Sequence, residues 1–187
     1  MKPLEGRLRI RPAGSGDIDE IVKLYDAVIE HLESTVNYPG WKKGVYPAKP
    51  DAVAATESSA LYIALLGSTP VGSIVLDNIP EAGYKGIKWQ SQEIMEGCAY
   101  KNILVLRTLV VHPSYWGRGI ARSLMEFAEE TALYRNCDAI RLDVVKGNLP
   151  AIQLYEKCGY SHITTGSLGY EKYGLPLFEM YEKVLKR

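Results

Sequence analysis

Apolar positions along the chain follow two rhythms, and the change from one to the other is clearest between residues 103 and 128. Ile103 to Val111 is an apolar, β-branched run, the pattern of a strand buried on both faces. Ile120, Leu124, Phe127 and Ala128 then recur at three-and-four spacing, which predicts a helix with one buried face running to about Tyr134. Between them stand Pro113, Gly117 and Gly119. Pro113 ends strand pairing, and the two glycines admit left-handed torsions and close approach to the backbone. The first amides of the helix point unpaired into this turn, which makes the junction a site for an anion.

The same reading organises the rest. Arg7 to Arg11 alternates as a strand, and Asp17 is an expected N-cap for a helix using Ile18, Ile21, Val22, Leu24, Tyr25 and Val28. Residues 34–50 are polar and rich in Pro and Gly, so they predict a loop, with Tyr38, Trp41 and Tyr46 as its large apolar anchors. A short helix over Asp51 to Ser58 precedes a hairpin of Ala60 to Leu66 and Val71 to Leu76. Residues 77–101 show no period, because Asn78, Pro80, Gly83, Gly86 and Gly97 interrupt it. A strand Ala139 to Val145, a helix Leu149 to Cys158 and strands Tyr160 to Thr165 and Leu177 to Val184 complete the order, which predicts an α/β chain: a mixed sheet with helices on both faces. There is no internal repeat.

Charge sharpens the junction. Arg118 and Arg122 lie at the start of the helix and Glu126, Glu129 and Glu130 follow, the reverse of what the helix dipole favours. Either an anion holds the arginines there, or both are solvated surface residues. Over the whole chain Lys plus Arg and Asp plus Glu are both 22, so no global field favours nucleic acid or an anionic membrane. A length of 187 residues allows one good-sized domain. No run of roughly 18 apolar residues predicts a membrane span, and Met1 to Gly6 has no signal-peptide core, so a cytoplasmic location is expected. Cys98, Cys137 and Cys158 have no metal or redox spacing and are expected to be reduced thiols, Cys158 packing rather than reacting.

Two motifs carry a resemblance. Trp116-x-x-Gly119-x-Ala121, preceded by Leu109-Val110-Val111-His112-Pro113, resembles the acetyl-CoA pyrophosphate loop of the GNAT superfamily of N-acetyltransferases, and Leu142 to Tyr160 resembles that superfamily's second signature. The likeness is specific for residues 103–160 and lies in element order elsewhere. It implies a mostly antiparallel sheet of about seven strands with splayed central strands, and one N-acetyltransferase domain over residues 1–187. Acetyl-CoA is the implied co-substrate, with no metal. Backbone amides from Gly117, Arg118, Gly119, Ile120, Ala121 and Arg122 would bind its phosphates, and an amide near Leu109, Val110 and Val111 would stabilise the oxyanion. The family loop usually begins with Gln or Arg, and here Trp116 stands in that place.

In the second motif Asn148 is a helix cap by its position and a cofactor contact by resemblance. Tyr155, seven residues on, is implied by the resemblance as the general acid that protonates the departing thiolate; residue type alone favours a core tyrosine on an amphipathic helix. Asp143, an acid in an apolar strand, stands where the resemblance implies a base for some members: it could take the amine's proton directly or through water, be a structural acid on the other face, or leave that task to ordered water alone. His112 is expected to be structural, while Glu93 and Glu96 either attract a cationic substrate or are simply solvated.

The reading predicts acetyl transfer from acetyl-CoA to a primary amine by direct attack in a ternary complex. A small-molecule acceptor is expected, walled by segments 34–50 and 77–101. The rivals are a protein N-terminal or lysine acetyltransferase, a sensor that binds acetyl-CoA without turnover, and a nucleotide-phosphate binder. Nucleic acid and membrane are not expected as partners, and a homodimer stays open.

Overall fold

Strand β2 (Leu61–Leu66) is buried at all six positions, which requires cover on both faces, and the chain supplies it. The computed structural model describes residues 7–91 and 102–185. Helix α1 (Ile18–Glu33) buries Ile18, Ile21, Leu24, Tyr25, Val28, Ile29 and Leu32, a three-and-four stripe, and all of these but Ile29 share a core cluster with Leu61, Ile63 and Leu65 of β2. On the opposite face Tyr62 meets Phe127 of α3 (Ile120–Tyr134) edge to face, ring centroids 5.0 Å apart. Strand β1 (Leu8–Pro12) pairs antiparallel with β2, which pairs antiparallel with β3 (Thr69–Asp77); α2 (Lys49–Glu57) buries Ala52. Together with the end of β4 (Ile103–Val111) these form one compact unit: residues to Asn37, Trp41–Leu76 and Thr108–Phe127. Within it β3 comes so close to β4 that a Cβ at Gly72 would lie 2.8 Å from the Val110 carbonyl oxygen.

The second unit takes Tyr38–Gly40, Asp77–Arg107 and the residues from Ala128 on. Strand β5 (Ala139–Val145) pairs antiparallel with β7 (Phe178–Val184), which pairs antiparallel with β6 (Ser161–Gly166). Helix α4 (Leu149–Lys157) buries Ile152 and Tyr155. The other face of these strands is filled by Tyr84, Trp89, Ile103, Val105, Ala139, Phe178 and Met180. Beneath Trp89 lies a charged core: the Arg141 guanidinium sits 4.2 Å from the indole centroid, and its Nε donates to Glu182 at 2.8 Å. Ser91 completes the set, its N–H and Oγ–H both donating to the Glu182 carboxylate.

The strand order is β1-β2-β3-β4-β5-β7-β6. Strands β4 and β5 run parallel, and their ladder covers only Ile103–Val105 and Ala139–Arg141; beyond it the two strands part. The expected mixed, mostly antiparallel sheet with splayed central strands is observed. One local expectation fails: Asp17 occupies the N-cap position of α1, but its side chain does not cap. Arg11 and the Gly14 N–H take the carboxylate instead, at 2.7 Å each, and the guanidinium holds that carboxyl down at about 2.

Candidate active site

The chemistry-bearing residues fall in both units. In the first, β4 leads into a turn over Pro113–Tyr115 and then into α3. Gly117 and Gly119 have φ of 71° and 83°, a left-handed backbone that side chains rarely adopt. An added Cβ would meet no other group at either position, so torsion rather than packing requires glycine there. Trp116 is 46% exposed, yet it is fixed: its Nε1–H donates to the Val111 carbonyl at 2.7 Å, and its ring meets His31 edge-on at 4.7 Å. The loop is thereby tied to the end of the strand it leaves. Arg118 lies over the Tyr115 ring at 5.2 Å, whereas Arg122 pairs with Glu126 at 3.0 Å on the exposed face. Ile120 and Val110 are buried; Leu109, Val111 and Ala121 are half-buried.

The same strand carries a backbone irregularity. Thr108 has φ 46°, a conformation that costs a β-branched residue on the order of 1–3 kcal/mol. Its Oγ1 lies 2.7 Å from the Tyr46 hydroxyl.

In the second unit Asp143 accepts a hydrogen bond from the Tyr84 hydroxyl at 2.7 Å. Loss of water around the carboxyl is the main cause that raises its pKa from 3.8 to about 6; the Tyr84 bond and Arg107 oppose this, and Glu81 adds to it. Arg107 is itself engaged by Asp77 at 3.3 Å, by Glu81 and by the Ile79 carbonyl, and Tyr170 donates to Glu81 at 3.2 Å. Tyr155 comes from the opposite side. On β5 side chains alternate, Asp143 sharing a face with Arg141, and Leu142 facing the other way. Tyr181 stands directly across from Leu142, and the Tyr155 ring packs 6.3 Å from it. The two groups thus flank β5 on its two faces. Burial raises the Tyr155 phenol above its ordinary value, with the Asp143 charge adding to the effect. Asn148 accepts from the Ala151 N–H at 3.4 Å, a long capping bond.

Residues 25–160 match the acetyltransferase (GNAT) family. The chain belongs to that family. It is 30% identical over 122 residues to streptothricin acetyltransferase of Escherichia coli, an alignment covering 64% of this chain; it spans about 59% of that relative's length. Among solved structures, a GNAT-family acetyltransferase from Streptococcus agalactiae 2603 aligns at a TM-score of 0.76 with 17% identity, covering 96% of each chain. The structure of yncA from Salmonella typhimurium with its cofactor acetyl-CoA aligns at 0.68 with 13% identity, covering 96% of this chain and 95% of that one. These likenesses extend the GNAT fold across nearly the whole chain.

Against that GNAT frame, several groups escaped sequence reasoning. Tyr84, Glu81 and Arg107 gather around Asp143, but the first two lie in the aperiodic segment, where no pattern marks a side chain's direction. Tyr46 was visible only as an aromatic anchor, and nothing in an apolar run signals the torsion at Thr108. His112 Nδ1 accepts from the Ser114 N–H. Cys158 is the C-cap of α4 and its carbonyl accepts from Lys183 at 2.9 Å. Glu93, Glu96 and Cys98 lie outside the described residues.

Proposed function

We propose that residues 1–187 act as one N-acetyltransferase domain that moves the acetyl group of acetyl-CoA to a primary amine. The observation that carries this reading is the Asp143 carboxyl, held by Tyr84 with a pKa raised to about 6, on the strand whose other face carries Tyr155. Asp143 takes a proton from the ammonium form of the acceptor. The free amine nitrogen then attacks the thioester carbonyl carbon, an amide of Leu109, Val110 or Val111 bonds the developing oxyanion, and the carbon–sulfur bond breaks. Tyr155, kept protonated by burial, gives its proton to the thiolate as CoA leaves; the second proton on the new amide nitrogen is lost to solvent, from which the Tyr155 phenolate is reprotonated, and Asp143 releases its proton to water.

The glycine turn holds the other end of the donor. Amides of Gly117 to Arg122 take the pyrophosphate, with Arg118 and Arg122 adding charge-assisted bonds, and Asn148 adds a contact to the cofactor arm. Arg122 exchanges its exposed Glu126 partner for phosphate at little cost, since such surface pairs contribute about 0.2–1 kcal/mol. A small-molecule acceptor is supported by the relative named streptothricin acetyltransferase. The acidic side chains of Asp77, Glu81 and Asp143, opposed by Arg107, suit a cationic amine.

The test joins binding to turnover. Acetyl-CoA should raise the melting temperature more than ATP does, and a panel of small amines, amino acids and peptides should include one that releases CoA thiol. Equal stabilisation by ATP defeats the donor assignment. Release with peptides alone moves the acceptor to protein.

A further inference from the structure

The turn after α1 is built to hold its last residue in place. Asn37 clamps Trp41 twice, its Nδ2–H donating to the Trp41 carbonyl at 2.7 Å and its Oδ1 accepting from the Trp41 N–H at 3.1 Å. Trp41 packs on the core of the first unit, its ring 6.3 Å from that of Tyr46. A tight turn follows: the Val45 and Tyr46 N–H groups both donate to the Lys42 carbonyl, and the Lys42 N–H donates back to Tyr46 at 3.2 Å. Lys43 braces it against α1, with Nζ 2.5 Å from Glu30 and 3.6 Å from Asp26. Tyr46, at the end of this turn, has its hydroxyl 2.7 Å from Thr108 Oγ1.

Thr108 needs such a hold. The other non-glycine residues at positive φ among those described, Ser59 and Asn136, lie just past the ends of α2 and α3, where chains commonly turn left-handed. Thr108 lies inside a strand, and a residue in that conformation rotates the peptides beside it out of the regular ladder. Its neighbours are Leu109 to Val111. A strained torsion persists only where the surroundings over-determine it, and among the described residues Tyr46 is the side chain that bonds Thr108 Oγ1.

We infer that Tyr46 is a positioning residue: through Thr108 it keeps a β4 amide turned out of the ladder to meet the acetyl carbonyl of the donor. This rests on the acetyl-CoA reading above. Its distinctive consequence is selectivity, because CoA lacks the acetyl oxygen and should not sense the change. Tyr46→Phe keeps the ring and removes the hydroxyl, so acetyl-CoA should bind about five- to tenfold more weakly, while the Kd for CoA stays within about twofold. Thr108→Val should show the same selective loss, the double variant should be no worse than either single one, and Thr108→Ser should recover affinity relative to Thr108→Val. Calorimetry with the full chain reads all of these.

Amide exchange of Leu109 to Val111 gives an arm independent of ligand, and it should quicken in Tyr46→Phe. Equal weakening of acetyl-CoA and CoA, losses that multiply in the double variant, or unaltered acetyl-CoA affinity in Tyr46→Phe each overturn the inference. If the parent chain binds neither ligand, the donor assignment falls by itself. Exchange then decides for Tyr46: quickening confined to the end of β4 supports the hold, and unchanged exchange removes it.

Discussion

The Tyr84 hydroxyl donates to Asp143 across 2.7 Å, and the carboxyl it meets has a pKa raised to about 6. A base at that value is half ionised near pH 6. In the proposed mechanism the amine's proton goes to the carboxylate, so kcat/KM should climb through an acidic limb near pH 6 and level off above it. Asp143→Asn should lower the rate by ~10²–10⁴ and abolish the limb. In Tyr84→Phe the limb should move to higher pH, because the lost bond was holding the carboxyl's pKa down.

Stability should run the other way. The native carboxyl titrates at about 6 against 3.8 when unfolded, so across that window the folded chain binds the extra proton. This contribution is full below about 3.8 and is lost as pH rises through about 6. Asp143→Asn should therefore melt no lower than the parent at pH 7, and a clear drop there would assign Asp143 a structural role.

Tyr155 predicts a different signature. Burial raises its pKa, so the phenol stays protonated throughout the working range and should add no limb of its own to the pH profile. Tyr155→Phe removes the proton while leaving the ring against Tyr160 and Tyr181. Turnover should fall about 10²-fold or more, with acetyl-CoA affinity held near the parent's. Equal loss of binding and turnover would make it a packing residue.

What the sequence made legible depends on how local each cause is. The glycines at 117 and 119, the cap position of Asn148 and the burial of Tyr155 all follow from spacing within one or two turns of chain. Strand β5 shows the boundary of that reasoning: alternation places Asp143 on a face, but only the tertiary pairing with Tyr84, 59 residues away in sequence, tells what shares that face. Asp17 misled for the same reason, since Arg11 competes for the carboxylate that would cap α1. The Tyr46 to Thr108 contact spans 62 residues and leaves no periodic mark on either partner.

The buried Arg141 and Glu182 pair predicts an asymmetric set of stabilities. Both are at most 1% exposed and stand opposite one another on β5 and β7. Arg141→Met leaves a carboxylate in the core with, among the described residues, only Ser91 to bond it, and should cost about 3–5 kcal/mol by urea unfolding. Glu182→Leu should cost a comparable amount by stranding the guanidinium over Trp89. The double variant should recover most of the loss, since apolar side chains replace the ions without desolvation. Additive losses would mean that the pair contributes net stability.

Trp116 supplies the last test, because it departs from the usual Gln or Arg of the family loop and has a stated task. Its indole N–H bonds the Val111 carbonyl, and the ring leans on His31. Trp116→Phe keeps an aromatic edge for His31 but removes the donor, which frees the turn whose Gly117 to Arg122 amides are proposed to take the pyrophosphate. One neutral hydrogen bond contributes about 0.5–1.5 kcal/mol, so CoA and acetyl-CoA should both weaken by about two- to tenfold. The equal effect on both ligands separates this loop from Tyr46, whose loss should be felt by acetyl-CoA alone. Intrinsic fluorescence offers a direct check: with its ring 46% exposed beside the loop, Trp116 should change emission when CoA binds, and Trp116→Phe should lose most of that change. Emission that responds equally in the variant would locate the reporter at Trp41 or Trp89 and detach Trp116 from the cofactor.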